Sequence, residues 1–300
     1  MRVFVTGASG WIGSAVVAEL LAAGHEVTGL ARSDESLAAI EAAGASAHRG
    51  SLDDLGSLRS GAEASDAVIH LAFKHDFSDY AGAGRTERAA VTTLADALVG
   101  SDRALLLASG TAMIAPGRIA TENDASSAVG PDSARGGSEQ FALEYAERGV
   151  RTVGLRFAPT VHGENDHGFM STIAGVAREK GVSGYIGDGS NRWSAVHRLD
   201  AANLVRLALE KAPAGSVVHA VGEEAVTGRQ IAELIGRGLD VPVESIAPAD
   251  AAAHFGWIGA FFGLDIPASS AITRQQLGWT PTHPTLAEDL EAGYYTRPVA

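Results

Sequence analysis

The chain is organised around an eight-residue stretch near its start, Thr6-Gly7-Ala8-Ser9-Gly10-Trp11-Ile12-Gly13. A strand-forming run, Val3-Phe4-Val5, precedes it, and Ile12, Val16, Val17, Leu20 and Leu21 follow at helical spacing. The stretch therefore reads as strand, glycine turn, helix. Gly7 permits the tight turn, Gly10 leaves no Cβ between backbone and a pyrophosphate, and Gly13 lets the helix lie close on the strand. The free amides of the helix N-terminus, around Ser9, Trp11 and Ile12, then face an anion. Glycine triplets are common in a chain with 36 glycines. Position between a first strand and a first helix is what points to a dinucleotide.

The alternation continues along the chain. Strands are predicted over 26–31, 45–48, 67–72, 104–107 and 150–157, and helices over 34–43, 85–98 and 133–148. This pattern predicts an α/β fold, a Rossmann-type doubly wound parallel sheet with ligands at the carboxyl ends of the strands. Beyond Pro159 the pattern loosens. Helices are predicted over 169–180, 199–211, 228–237, 250–262 and 286–294, with strands over 182–186 and 216–221. Residues 1–160, with a return at 192–222, form the expected dinucleotide-binding domain. Residues 161–191 and 223–300 form a smaller, discontinuous C-terminal substrate lobe.

Composition narrows the function classes. A net charge of −13 and a pI near 5.2 disfavour nucleic acid and anionic membrane as partners, because both need concentrated positive charge. With no cysteine, thiolate catalysis and disulfides are excluded. A first strand at residue 2 and the lack of an apolar run of ~20 residues lead us to expect no signal peptide, no membrane span and a cytoplasmic protein.

The sequence resembles the short-chain dehydrogenase/reductase superfamily, in its extended, epimerase/dehydratase-like branch. The carrying residues are the glycine stretch, His70-Leu71-Ala72, Leu155-Arg156-Phe157 with His162-Gly163, and Ala195-Val196-His197-Arg198-Leu199-Asp200. The resemblance implies a nicotinamide cofactor laid across the sheet and a substrate cleft under the smaller lobe. It also implies a tyrosine and a lysine four positions apart on the fifth helix, with a serine or threonine after the fifth strand. Here the corresponding segment reads Arg135-Gly136-Gly137-Ser138-Glu139. Arginine and glutamate replace the proton donor and the cation that would lower its pKa. Tyr145 lies ten positions further on and is not expected to reach the cleft. Arg135 is then either a fixed cation for a substrate carbonyl or cofactor phosphate, with Glu139 as its partner one turn on, or half of a simple surface ion pair.

For the cofactor, the second strand ends Gly29-Leu30-Ala31-Arg32-Ser33, with no acid for a ribose 2′-hydroxyl. Arg32 offers a charged fork for a 2′-phosphate and Ser33 another donor, so NADP is expected, with NAD as the alternative. The other reading leaves Arg32 on a loop with Asp34 capping the next helix. Ser51 and Leu52 are expected to flank the adenine, and Leu71, Ala72, Phe73, Phe157 and Pro159 to border the cofactor. Candidate catalytic groups are His75, Ser109, Thr111, Arg135 and His162, the last expected to face the cleft. Lys74, Asp76, Trp193 and His197 are candidates for the substrate side, with Asn191 and Arg192 in the same wall. The ligand-type residues of the loop at 162–167 lie on one flexible segment, so no metal site is expected. Phe255, Trp257, Phe261 and Phe262 suggest core, or a lid over an apolar substrate.

These readings favour an NADP-dependent oxidoreductase that reduces a small or medium, mostly apolar carbonyl compound with a non-standard proton donor. The alternatives are a non-catalytic NADP-binding sensor and an epimerase or isomerase using the cofactor transiently. Packing of the helices at 85–98 and 133–148 into a homodimer is permitted by their apolar residues without being demanded.

Overall fold

A computed structural model describes residues 1–74 and 79–297. Its centre is a seven-stranded parallel sheet of β1 (Arg2–Thr6), β2 (Glu26–Ala31), β3 (Ser46–Arg49), β4 (Ala67–His70), β5 (Ala104–Gly110), β6 (Arg151–Phe157) and β10 (Ser216–Ala220). The strand order is β10-β6-β5-β4-β1-β2-β3. Val3, Phe4, Val5, Val68, Ile69 and Leu106 are fully buried, as a parallel sheet covered on both faces requires. The covering helices in this half include α1 (Trp11–Ala22), α2 (Asp34–Ala42), α3 (Leu55–Glu63) and α4 (Tyr80–Asp96).

From β1 the chain moves outward through β2 and β3, then crosses back to place β4 on the other side of β1. That reversal opens a crevice at the carboxyl ends of β1 and β4, directly beside the glycine turn.

The helix predicted over 133–148 is broken. Arg135, Gly136 and Gly137 all lie in the left-handed region, with φ of 52°, 62° and 59°. α5 runs only from Ser138 to Glu144. The helix predicted over 250–262 is also two, α9 (Ala251–Phe255) and α10 (Ile258–Phe262), separated by Gly256 at φ 63°. α3 has no counterpart in the sequence reading.

After β6 come β7 (Thr160–His162), α6 (Phe169–Lys180), β8 (Ser183–Ile186), β9 (Arg192–His197), α7 (Arg198–Lys211), β11 (Glu223–Thr227), α8 (Gly228–Leu239) and β12 (Val243–Ile246). β9 lies between β11 and β7 in a three-stranded sheet, and β12 pairs with β8. Along β9, Trp193 and Ala195 enter the core of the smaller lobe while Val196 enters the core of the main sheet. One strand thereby serves both cores through the twofold period of its side chains. α11 (Ala271–Leu277) packs on α7 and β10, and α12 (Leu286–Glu291) on α8 and β9. No helix among the described residues is long and apolar enough to cross a membrane.

Candidate active site

The glycine turn is shaped for close approach. A Cβ on Gly13 would stand 1.9 Å from the Gly7 carbonyl oxygen, so helix and turn touch only because it is absent. Gly7 itself has φ 70°. Gly10 precedes α1 with no side-chain cap, and the first turn carries no acid. The amides of Trp11, Ile12 and Gly13 are therefore left for an anion, which fits a dinucleotide pyrophosphate. The indole of Trp11 turns away from this cradle. Its Nε1 donates to the Val161 carbonyl at 2.8 Å, and the Arg198 guanidinium lies 4.2 Å above its ring.

At the adenosine end, Arg32 is exposed and has no hydrogen bond or ion pair among the described residues. Ser33, expected as a phosphate donor, is the N-cap of α2, its Oγ accepting the Ser36 amide at 3.2 Å. Asp34 is not the cap and pairs with Arg49. The Ser51 Oγ accepts the amides of Asp53 and Asp54 at 3.3 Å. Leu52 packs partly buried beside the main core. Lys74, expected on the substrate side, bonds Asp53 at 2.5 Å. His75 and Asp76 lie outside the described residues.

The Arg135 guanidinium reaches Glu87 on α4, with Nη2 3.1 Å from Oε1, and lies 4.4 Å over the Phe73 ring. Glu139 is not its partner, because the left-handed turn destroys the i,i+4 spacing the expectation rested on. Glu139 turns inward to Arg156, whose Nη2 and Nε donate to it at 2.6 and 2.9 Å. Behind Arg135 runs a buried chain. Glu87 Oε2 lies 3.2 Å from His70 Nε2, and His70 Nδ1 lies 2.7 Å from Thr6 Oγ1. An ionised Glu87 has no proton to give, so His70 donates to it from Nε2. Thr6 Oγ1 also accepts the Ala72 amide at 3.2 Å. Burial pushes the Glu87 carboxyl up, but His70 and Arg135 together hold it below its usual value. Arg135 Nε is buried without a partner, a donor left over in the site.

Glu87 and His70 were missing from the sequence candidates. A signal existed: Glu87 sits at helical spacing with the buried Ala83, Ala90, Val91 and Leu94, a charge on an apolar stripe.

Ser109 is half-buried near the end of β5, which runs three residues past its predicted end. Thr111 is buried, its Oγ1 3.4 Å from Ser194 Oγ. Phe157 is buried at the end of β6, and Pro159 follows it, half-buried. His162, expected to face the cleft, is fully buried. Its Nδ1 lies 2.6 Å from Asp289 on α12, and its unpartnered Nε2 is 3.7 Å from Glu223. Trp193 is also buried, ringed by Phe169, Phe261 and Phe262 with centroids 5.8, 5.2 and 5.5 Å away. Trp257 is 59% exposed and meets Phe169 edge-on. An open cavity of about 870 Å³ beside β8 is bordered by Asp188, Arg192, Leu264 and Asp265. Arg192 is locked there by a bidentate bond to Asp265, at 2.9 and 2.8 Å.

His197 stacks on His283 at 4.9 Å with the rings 8° apart, and Asp200 joins them. These are metal-ligand types, yet nitrogen lone pairs in parallel, separated planes do not converge on one ion. Asp200 is moreover occupied by the amides of Thr282 and His283 and by His283 Nδ1. Burial lowers the His197 pKa. On the loop at 162–167, the groups go separate ways, with His167 edge-on to Trp11 and Asp166 bonded to Tyr295.

A family model described as the NAD dependent epimerase/dehydratase family matches residues 3–221. An uncharacterized protein of Schizosaccharomyces pombe is 47% identical over 296 residues, covering 98% of this chain and 100% of its own. A 4-hydroxy-2-methyl-3-oxo-4-farnesyl-3,4-dihydroquinoline-1-oxide ketoreductase of Stigmatella aurantiaca is 28% identical, with 85% of this chain and 80% of the relative covered. Among solved structures, the UDP-glucose 4-epimerase of Thermus thermophilus in complex with NAD has the same fold, with a TM-score of 0.77, 21% identity and full coverage of both chains.

Proposed function

This chain belongs to the NAD-dependent epimerase/dehydratase family, and from that premise we propose that it is an NADP-preferring oxidoreductase acting on a small or medium, mostly apolar carbonyl compound. The observation that carries the reading is Arg135. It stands at the tyrosine position of the resemblance, in a left-handed conformation that is costly for a non-glycine residue, with one donor unused. Glu87, His70 and Thr6 hold it in place.

When bound, the nicotinamide supplies or takes up hydride at the substrate carbon. Arg135 binds the carbonyl oxygen and stabilises charge there. A guanidinium does not release its proton, so protonation falls to another group. Ser109 and His75 are the candidates. An apolar substrate fits the partly exposed aromatic edge of Phe169, Phe261 and Trp257, and the ketoreductase relative is named for a farnesylated carbonyl compound. Arg192, the arginine a nucleotide-sugar diphosphate would call on, is already held by Asp265. NADP is favoured by the exposed Arg32 and by the lack of an acid at the end of β2.

The test follows NADPH consumption and binding together, against apolar ketones, aldehydes, enones and nucleotide sugars. We expect consumption with an apolar carbonyl class, and Arg135→Ala should lower turnover about a hundredfold, the order expected when an oxyanion donor is lost, while NADPH binding is kept. Unchanged turnover sinks the assignment of Arg135. Glu139 buried against Arg156 favours a second reading, a sensor that has given up the family's chemistry. Tight NADPH binding without consumption of any substrate would establish it.

A further inference from the structure

We propose that Arg49 is a second ligand for the ribose 2′-phosphate of the cofactor, and that its ion pair with Asp34 sets the preference between NADP and NAD. The proposal rests on the NADP reading above and names the residues that decide it.

β3 lies beside β2 in a register that sets Arg49 opposite Ala31, and the Gly50 amide donates to the Ala31 carbonyl at 3.0 Å. Adjacent strands are ~4.8 Å apart. Side chains alternate across a strand, so Arg49 leaves on the face of Ala31, where its guanidinium meets Asp34, two positions beyond Arg32. Both arginines thus flank the end of β2, where the ribose of a bound dinucleotide lies. Both are side chains in water: Arg32 is exposed, and the Arg49 side chain is 56% exposed. Two guanidinium forks suit the three oxygens of a phosphomonoester.

Asp34 is the residue that competes. Its side chain is 92% exposed, it opens α2, and the capping of that helix is done by Ser33. Among the described residues its side chain bonds only Arg49. A solvated ion pair of this kind is weak, so a phosphate carrying close to two negative charges displaces the carboxylate from Arg49 at small cost. Asp34 then remains beside the phosphate as an unpaired like charge and limits the gain. With NAD there is no phosphate, and the pair stays closed. Asp34 thus acts as a brake on NADP affinity, and Arg49 as the group it restrains.

The experiment measures binding of adenosine 2′,5′-bisphosphate and of 5′-AMP to the full chain by titration calorimetry, at one low ionic strength. The wild type should prefer the bisphosphate by about tenfold or more, as charge-assisted contacts imply. Arg49→Gln should remove most of that preference and leave 5′-AMP affinity unchanged. Asp34→Asn should tighten bisphosphate binding about threefold, the scale of an exposed pair, and by clearly less in the Arg49→Gln background, where no ion pair has to be broken and only repulsion of the phosphate is relieved. All three positions are exposed, and melting curves will verify that the variants fold. A preference that survives Arg49→Gln but is lost in Arg32→Gln overturns the role of Arg49 and leaves the NADP reading standing. A wild type with no preference overturns both. Weaker 5′-AMP binding in Asp34→Asn would make Asp34 the acceptor of a ribose hydroxyl and also overturn the proposal.

Discussion

Glu139 shows how far a residue's position in the sequence can mislead about its work. Its carboxylate is 6% exposed and Arg156 is 2% exposed, so the pair is buried and each charge depends on the other. Removing one partner leaves the second uncompensated, which costs about 3–5 kcal/mol. Glu139→Gln should therefore lower unfolding free energy by about 3 kcal/mol in urea titrations. Glu139→Lys, which restores the family's residue type, should fail to fold, because it sets a second cation against Arg156. A stable Glu139→Lys protein would refute this placement. The sequence made Arg135 and Glu139 partners because spacing is the only geometry a sequence offers. Their actual partners, Glu87 and Arg156, lie 48 and 17 positions away and are brought in by α4 and β6. The glycine turn was legible because every part of it is local. The buried chain from Thr6 to Arg135 was not, because it is assembled from β1, β4, α4 and the turn before α5.

At the scale of elements, the same contrast follows periodicity. The bounds 26–31 and 169–180 were readable, since β2 gives way directly to the Ser33 cap of α2 and α6 ends at Gly181 in the left-handed region. The segment at 133–148 carries helical apolar spacing in its second half only, and Gly136-Gly137 was the overlooked signal. The left-handed turn those glycines form packs against α4. Arg88 donates to the Gly136 carbonyl at 2.9 Å, and a Cβ on Gly136 would stand 2.4 Å from the Gly84 carbonyl oxygen. Gly136→Ala should consequently destabilise by about 2 kcal/mol or more, combining left-handed strain with a backbone clash. Gly175, inside α6, has open space where its Cβ would be. Gly175→Ala should stabilise by about 0.5–1 kcal/mol, because only the helix preference changes. Paired denaturant titrations separate the two, and equal signs would contradict the turn geometry.

For the whole molecule, the two cores meet where β9 ends. There His197 is faced by His162 from β7, by His283 and Asp200, and by Asp289 from α12. Burial, with the neighbouring His162 and His283 adding to it, lowers the His197 pKa below 6.5, and burial also lowers that of His219, between β6 and the Ser269 carbonyl. An unfolded chain therefore binds protons at these sites that the folded chain refuses. Stability is fully present above pH 6.5 and is lost as pH falls from there through the folded values. Carboxylates act in a lower window. Glu87, held below its ordinary 4.5, contributes stability above that value and loses it only on further acidification. Melting temperature should accordingly fall between about pH 7.5 and 5.5 in the wild type. His197→Gln should flatten the fall and His197→Gln/His219→Gln should flatten it further, whereas Glu87→Gln should leave its slope unchanged despite lowering stability throughout. A wild-type slope that persists in the double variant would mean that the junction of the lobes does not sense protons, and that the acid response originates elsewhere in the charge balance.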